Sequence, residues 1–350
     1  MQNDVRGRHL IIKESRNKYL AYELAPMAEC VVLGCHVKTN SHGFRDKEYA
    51  IEKGGKFRIA AIGDSITFGT DLAAEKRYSE LLEALFAAAN KNADVINMGC
   101  PGYNIIQVIN LLTDKGLKFL PDVLVYCYNL NDLMDTGPGM EYIREHIFVK
   151  NTSLLKLRIF QFISVQLYKF KMVKDFYETV KPVKDIKEFY SSDNEGDLSL
   201  VDNVNKLVDL LKRYGNYFTN KIQMDSIIKS SKGYKLPYYA TTYVSQQKIE
   251  RLEWAFAKLR ELADQYRFRA VIVIVPELQK RNGEYLISPI HEIVDHIAKR
   301  NKLTVIDMYE DFDEYGFENL KISKWDTSHP NPAGHRIIAR RLYGLIDTEY

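Results

Sequence analysis

From residue 57 onward, short runs that are apolar on both faces alternate with longer amphipathic runs, and this alternation restricts the chain more than any other feature it carries. A strand with two apolar faces must lie inside a sheet covered on both sides, and strands separated by helices pair in parallel. The expected strands are residues 57–62 (FRIAAI), 94–98 (DVINM), 122–128 (DVLVYCY), 269–276 (RAVIVIVP) and 303–307 (LTVID). Apolar spacing predicts helices over 76–89, 104–119, 245–266, 285–300 and 332–345, the last with Asn331 as N-cap and Pro332 in its first turn. The expected fold class is α/β, a three-layer α/β/α sandwich around a parallel five-stranded sheet.

Two regions stand outside this alternation. Residues 1–56 are irregular, with β-like patches (HLIIK, CVVLGCHVK) and a polar turn at Asn40-Ser41-His42-Gly43, and read as an N-terminal extension packed on the sheet or its edge. Residues 134–244 read as a mostly helical insertion rich in Tyr, Lys and Leu, which leaves 57–133 and 245–350 as the core. Within the insertion, 154–173 is very apolar yet carries Lys156, Arg158, Lys169 and Lys171. A helical cap packed against the core is the preferred reading of that segment; a lid or a membrane-surface helix is the alternative.

Composition excludes several classes. At 350 residues and 40.6 kDa, with 46% hydrophobic residues, the chain can fill a substantial core. A net charge of +3 is small against 49 basic and 46 acidic residues, so no nucleic-acid partner is expected. Cys30, Cys35, Cys100 and Cys127 do not make a disulfide framework at this size, and no Cys-x-x-Cys pairs with histidines to suggest zinc. The first thirty residues are charged throughout, unlike a signal peptide, and no run of about 20 uncharged apolar residues suggests a membrane span. The expectation from these features is a soluble, cytoplasmic protein.

Chemistry concentrates at the carboxyl ends of the expected strands, where open parallel sheets bind ligands. Ser65 follows the first strand within Gly63-Asp64-Ser65, Gly102 lies in the loop after the second, and Asn131 lies in the loop after the third. Asp326 and His329 lie in the long loop after the fifth. A serine becomes a nucleophile when an imidazole takes its proton and a carboxylate holds that imidazole in the right tautomer. Asp326 and His329 are three residues apart, so one turn can present both, with the carboxylate on Nδ1 and Nε2 facing outward. Acyl transfer also needs fixed donors for the developing oxyanion; the backbone N–H groups of Ser65 and Gly102 and the side-chain amide of Asn131 would be three.

Gly63-Asp64-Ser65-Ile66, the 97–104 segment with Gly102, the Asn131-Asp132 pair and Asp326-x-x-His329 resemble, in order, the four sequence blocks of the SGNH (GDSL-type) hydrolase superfamily. The resemblance spans 57–133 and 245–346. It implies a flavodoxin-like sandwich, no metal or cofactor, and ester or acyl chemistry carried by Ser65, Gly102, Asn131 and His329, with Asp326 orienting the histidine. Ile66 replaces the family's usual Leu, and Asn129 stands where the third block usually has Gly, which adds a polar side chain near the oxyanion site.

The residues flanking these positions read as structural. Asp64 and Asp132 are expected to hold their turns through backbone N–H groups, Asn97 to be a strand-end residue, Ser328 a loop hydroxyl and His335 a helix-surface imidazole. Tyr103 and Tyr128 read equally as pocket lining or core.

The G-x-S-x-G elbow of α/β-hydrolases is a near miss because Thr67 replaces the second Gly, and a metallophosphoesterase needs more ligands than these loops supply. The resulting expectation is a serine esterase acting on carbohydrate or lipid acyl esters, hence a small-molecule or glycan ester as partner. An O-acetyltransferase acting on a glycan is the alternative, and a non-catalytic glycan-binding module the third reading.

Overall fold

The computed structural model describes residues 11–134 and 246–349, with Tyr239, Thr242 and Tyr243, apart from positions 18, 21, 33, 34, 281, 282, 284 and 286. The insertion expected over 134–244, including the apolar 154–173 segment, therefore lies almost wholly outside the described residues. Two antiparallel hairpins come first, β1 (Ile12–Glu14) with β2 (Tyr22–Leu24) and β3 (Glu29–Val32) with β4 (Cys35–Lys38). Five parallel strands follow: β5 (Phe57–Gly63), β6 (Ala93–Asn97), β7 (Val123–Asn129), β8 (Arg269–Val275) and β9 (Thr304–Asp307). Their order is β6-β5-β7-β8-β9. That is the 2-1-3-4-5 order of flavodoxin-like sheets, as expected.

The order follows from burial and handedness. β7 is buried at every position, and β5 and β8 at all but their first residue, so neither face of the central strands can meet water. The chain steps from β5 outward to β6 and then back across β5 to β7. Right-handed crossovers therefore place the two intervening helices, α2 (Tyr78–Ala88) and α3 (Ile105–Asp114), on opposite faces. α2 packs against α7 (Pro332–Ile346), whereas α3 packs against α4 (Gln246–Tyr266), which in turn contacts α5 (Ser288–Arg300). A short α1 (Ser65–Phe68) leaves β5, and α6 (Tyr309–Tyr315) follows β9.

Three helix boundaries differ from the sequence reading. The helix expected from 76 starts at Tyr78 because Arg77 is extended, its buried guanidinium donating to the carbonyls of Arg45 (2.6 Å) and Phe68 (3.4 Å). The helix expected over 104–119 ends at Asp114, and a separate 3-10 turn, Gly116–Phe119, completes the connection to β7. The helix expected from 285 starts at Ser288, since the Tyr285 hydroxyl is engaged by the Glu277 N–H at 3.0 Å.

The residues before β5 close the free edge of β6. The Asn97 N–H donates to Asp46 Oδ2 at 2.7 Å and the Tyr49 hydroxyl donates to the Val95 carbonyl at 3.0 Å, which satisfies edge groups that would otherwise face outward. The same segment reaches the site loops: Tyr22 donates to the Pro101 carbonyl at 2.7 Å, and Arg45 to the Gly69 and Leu72 carbonyls at 2.8 and 2.7 Å. All four cysteines are free thiols. Among the described residues no helix is long and apolar enough to cross a membrane, and no group of three His, Cys, Asp or Glu side chains is placed to hold a metal ion.

Candidate active site

The turn from β5 into α1 is built by its own three residues. Gly63 has φ 152°, and a Cβ there would lie 2.4 Å from Thr67 Oγ1 and 2.8 Å from the Cys127 carbonyl, so only glycine lets the chain turn this tightly. Asp64 then caps α1, its Oδ1 accepting the Ile66 N–H at 2.9 Å. Ser65 is left as the first helical residue, its backbone N–H among those a helix cannot pair internally.

The second component arrives on the loop between α6 and α7. Asp326 Oδ1 accepts the backbone N–H groups of Ser328 (3.0 Å) and His329 (2.9 Å), which ties the segment into a tight turn. Its Oδ2 lies 2.8 Å from His329 Nδ1, and His329 Nε2 lies 2.8 Å from Ser65 Oγ. This pattern assigns the proton to Nδ1 and leaves Nε2 to accept from the serine hydroxyl. Residues 264 positions apart thus meet in one hydrogen-bonded line.

Ser65 Oγ also lies 3.1 Å from Asp64 Oδ2. That carboxylate is engaged by the Asn129 amide at 3.0 Å as well, and the serine's shorter contact is to the imidazole. Asn129, the departure from the family's third block, has its side chain committed to Asp64 on one side and to the Asn131 N–H (3.4 Å) on the other. Burial pushes the Asp64 carboxyl above the ordinary carboxylate range.

β6 and β7 flank β5, so the loops bearing Gly102 and Asn131 stand on either side of Ser65. Both residues are partly exposed. Gly102 sits at φ 76°, a left-handed turn position suited to glycine, and Asn131 lies in the 3-10 turn Leu130–Leu133, capped by Asn129. The first loop is held to α1 by the Asn97 amide on the Thr67 carbonyl (2.6 Å) and the Cys100 N–H on the Gly63 carbonyl (3.1 Å).

The neighbours sort themselves. Asp132 caps its turn with Oδ2, accepting from the Asn129 N–H (3.2 Å) and the Tyr126 hydroxyl (2.8 Å). Tyr103 and Tyr128 are core residues, 2% and 0% exposed. His335 is not the surface imidazole expected. It is 1% exposed, accepts the Tyr78 N–H on Nδ1 at 3.1 Å and stacks on the Tyr78 ring, and burial depresses its pKa to about 3. Its position in the first turn of α7 faces α2, where apolar patterning gave no sign of it. Glu277, just beyond β8, was missed altogether, although an acid two residues past a buried strand's carboxyl end was a readable signal.

For His329, burial alone would lower the pKa, but the hydrogen bond and charge of Asp326, with Asp64 and Asp71 behind, outweigh it and raise the imidazole above its ordinary 6.5. A base must be neutral to act, so kcat/KM is expected to rise with pH along a one-proton limb and to be lost as pH falls through that raised value. A midpoint above 6.5 supports the coupling of Asp326 to His329, and one below it contradicts it.

A family model described as "GDSL-like Lipase/Acylhydrolase family" matches residues 61–337. No curated protein matches the chain in sequence. Among solved structures, the chain is similar to LAE5, an alpha/beta hydrolase enzyme from the metagenome of Lake Arreo, Spain, at 14% identity, 85% coverage of this chain and 97% of that one, with TM-score 0.43. It is similar to a lipase/acylhydrolase from Enterococcus faecalis at 13% identity, with 84% and 96% coverage and TM-score 0.43. Axe2, an acetylxylan esterase from Geobacillus stearothermophilus, gives 14% identity, 84% and 96% coverage and TM-score 0.42.

Proposed function

Since the chain belongs to the GDSL-like lipase/acylhydrolase family and is an ester-bond hydrolase, we propose that it works through an acyl-enzyme on Ser65, with His329 as general base and Asp326 as its orienting partner. The observation that carries this reading is the unbroken line from Ser65 Oγ to His329 Nε2 and from Nδ1 to Asp326 Oδ2, with both contacts at 2.8 Å. As Oγ attacks the acyl carbon, its proton passes to Nε2 and the imidazolium is stabilised by Asp326. The carbonyl oxygen becomes an oxyanion, received by the Ser65 and Gly102 N–H groups and the Asn131 amide. Collapse expels the alcohol, which leaves with the proton from Nε2. A water then repeats the sequence on the acyl-enzyme, releasing the acid and restoring Ser65.

We read the substrate as an acyl ester of a carbohydrate or a lipid. A panel of esters differing in acyl length and alcohol, run with and without glycan acceptors, tests this: the expected result is release of free acid, fastest from a sugar or glycerolipid ester. Transfer of the acyl group to an added glycan in preference to water would instead identify an O-acetyltransferase.

The proposed oxyanion role of Asn131 has its own test. Asn131→Ala is expected to lower kcat by about 10²- to 10³-fold with KM little changed, because the donor meets charge that exists mainly in the transition state. A raised KM with kcat preserved would make Asn131 a substrate-binding residue.

A further inference from the structure

We propose that Glu277 is the positioning residue of the acid–base turn, gripping the two residues between Asp326 and His329 and so setting where the imidazole stands relative to Ser65. This inference rests on the reading of Ser65, His329 and Asp326 given above. Glu277 is 5% exposed and lies just past the carboxyl end of β8, which sits between β7 and β9 in the sheet. Its two carboxylate oxygens divide between the two intervening hydroxyls: Thr327 Oγ1 donates to Oε1, and Ser328 Oγ donates to Oε2 at 3.2 Å. The backbone next to it grips the same turn, the Leu278 N–H donating to the Thr327 carbonyl at 2.6 Å.

Glu277 is itself fixed from behind. Tyr239 donates its hydroxyl to Oε2 at 2.7 Å. The Glu277 N–H donates to the Tyr285 hydroxyl oxygen at 3.0 Å; that hydroxyl lies 2.9 Å from His291 Nε2, and His291 Nδ1 lies 2.9 Å from both Asp307 carboxylate oxygens. The bonds have one consistent sense: Nδ1–H of His291 on Asp307, Tyr285 O–H on Nε2, and Glu277 N–H on Tyr285. A network of this kind over-determines the position of one buried carboxylate.

A carboxylate placed this deep carries a desolvation cost, and burial, together with the nearby Asp326 charge, raises its pKa. Thr327 and Ser328 themselves are only partly buried. The arrangement is explained by what it fixes: beside its own short bonds and the Ile322 N–H on the His329 carbonyl (3.1 Å), the Asp326 turn is anchored by Glu277 and Leu278, and the Ser65–His329 contact must stay near 2.8 Å for proton transfer.

The test measures kcat, KM and the second-order rate of fluorophosphonate labelling of Ser65 in five full-length proteins: parent, Glu277→Ala, Glu277→Gln, Thr327→Val/Ser328→Ala, and that pair combined with Glu277→Ala. Glu277→Ala is expected to lose up to about 10²-fold in kcat and in labelling rate with KM within a few-fold, the size expected of a small misplacement of a catalytic group. Glu277→Gln, which keeps one acceptor for Thr327 and offers an amide to Ser328, is expected to restore most of that loss. The hydroxyl double variant is expected to lose a similar factor, and adding Glu277→Ala to it to cost little more, because the same linkage has already been cut. If Glu277→Ala does not fold, the labelling rate of the double variant decides alone. Full labelling rate in the double variant and in Glu277→Gln, or losses that simply multiply, overturns the proposal. A parent that is not labelled at Ser65 refutes the catalytic reading instead.

Discussion

Ser65→Ala is expected to lower kcat by about 10⁶-fold while the protein stays folded. The serine oxygen is the atom to which the acyl group would be bonded, so nothing else in the site can replace it. Its hydroxyl contacts His329 Nε2 and Asp64 Oδ2, and α1 keeps its cap because Asp64 accepts from Ile66, not from the serine backbone. Thermal unfolding should therefore shift little. The variant should still exceed the uncatalysed rate by roughly 10³- to 10⁴-fold, since the proposed oxyanion donors at Gly102, Asn131 and the backbone of position 65 would remain. A variant that retains a tenth of the parental rate would mean that another group carries the chemistry.

His329→Ala is expected to cost about as much as loss of Ser65, and Asp326→Asn less, about 10⁴-fold. The asymmetry has a structural cause. An asparagine at 326 can still accept the Ser328 and His329 N–H groups on Oδ1, so the turn survives. Its amide nitrogen would then face Nδ1 and favour the tautomer with the proton on Nε2, the wrong one for a base facing Ser65. Combining Ser65→Ala with His329→Ala should cost scarcely more than either alone, because the two act in one step. Independent, multiplying losses in kcat would argue that they do not.

The fold was legible because its strands declare themselves. FRIAAI, VLVYCY and RAVIVIV are too apolar for a sheet exposed on either side, and their spacing leaves room for a helix between successive strands up to β7. The meeting of Ser65, Asp326 and His329 was legible because sequence spacing and strand ends coincide: Gly63-Asp64-Ser65 closes β5, and Asp326 and His329 share one turn. What escaped was set by tertiary contact. Arg77 reads as an ordinary helix residue, yet its guanidinium is drawn into carbonyls of the preceding loops and delays α2. His335 stands between Gly334 and Arg336 and reads as exposed, but the packing of α7 on α2 buries it. Glu277 carries no motif, and its role comes from Thr327 and Ser328, fifty residues away. Asn129 looked like an intrusion on the oxyanion site; in place, it holds Asp64 beneath Ser65.

The most direct measurement is active-site labelling with a fluorophosphonate, followed by peptide mapping of parent and Ser65→Ala. The parent is expected to take up one equivalent, mapped to Ser65, at a rate that falls on the acid side as His329 becomes protonated. The Ser65→Ala protein is expected to take up none. Labelling that maps to any other residue, or that persists when Ser65 is alanine, contradicts the account.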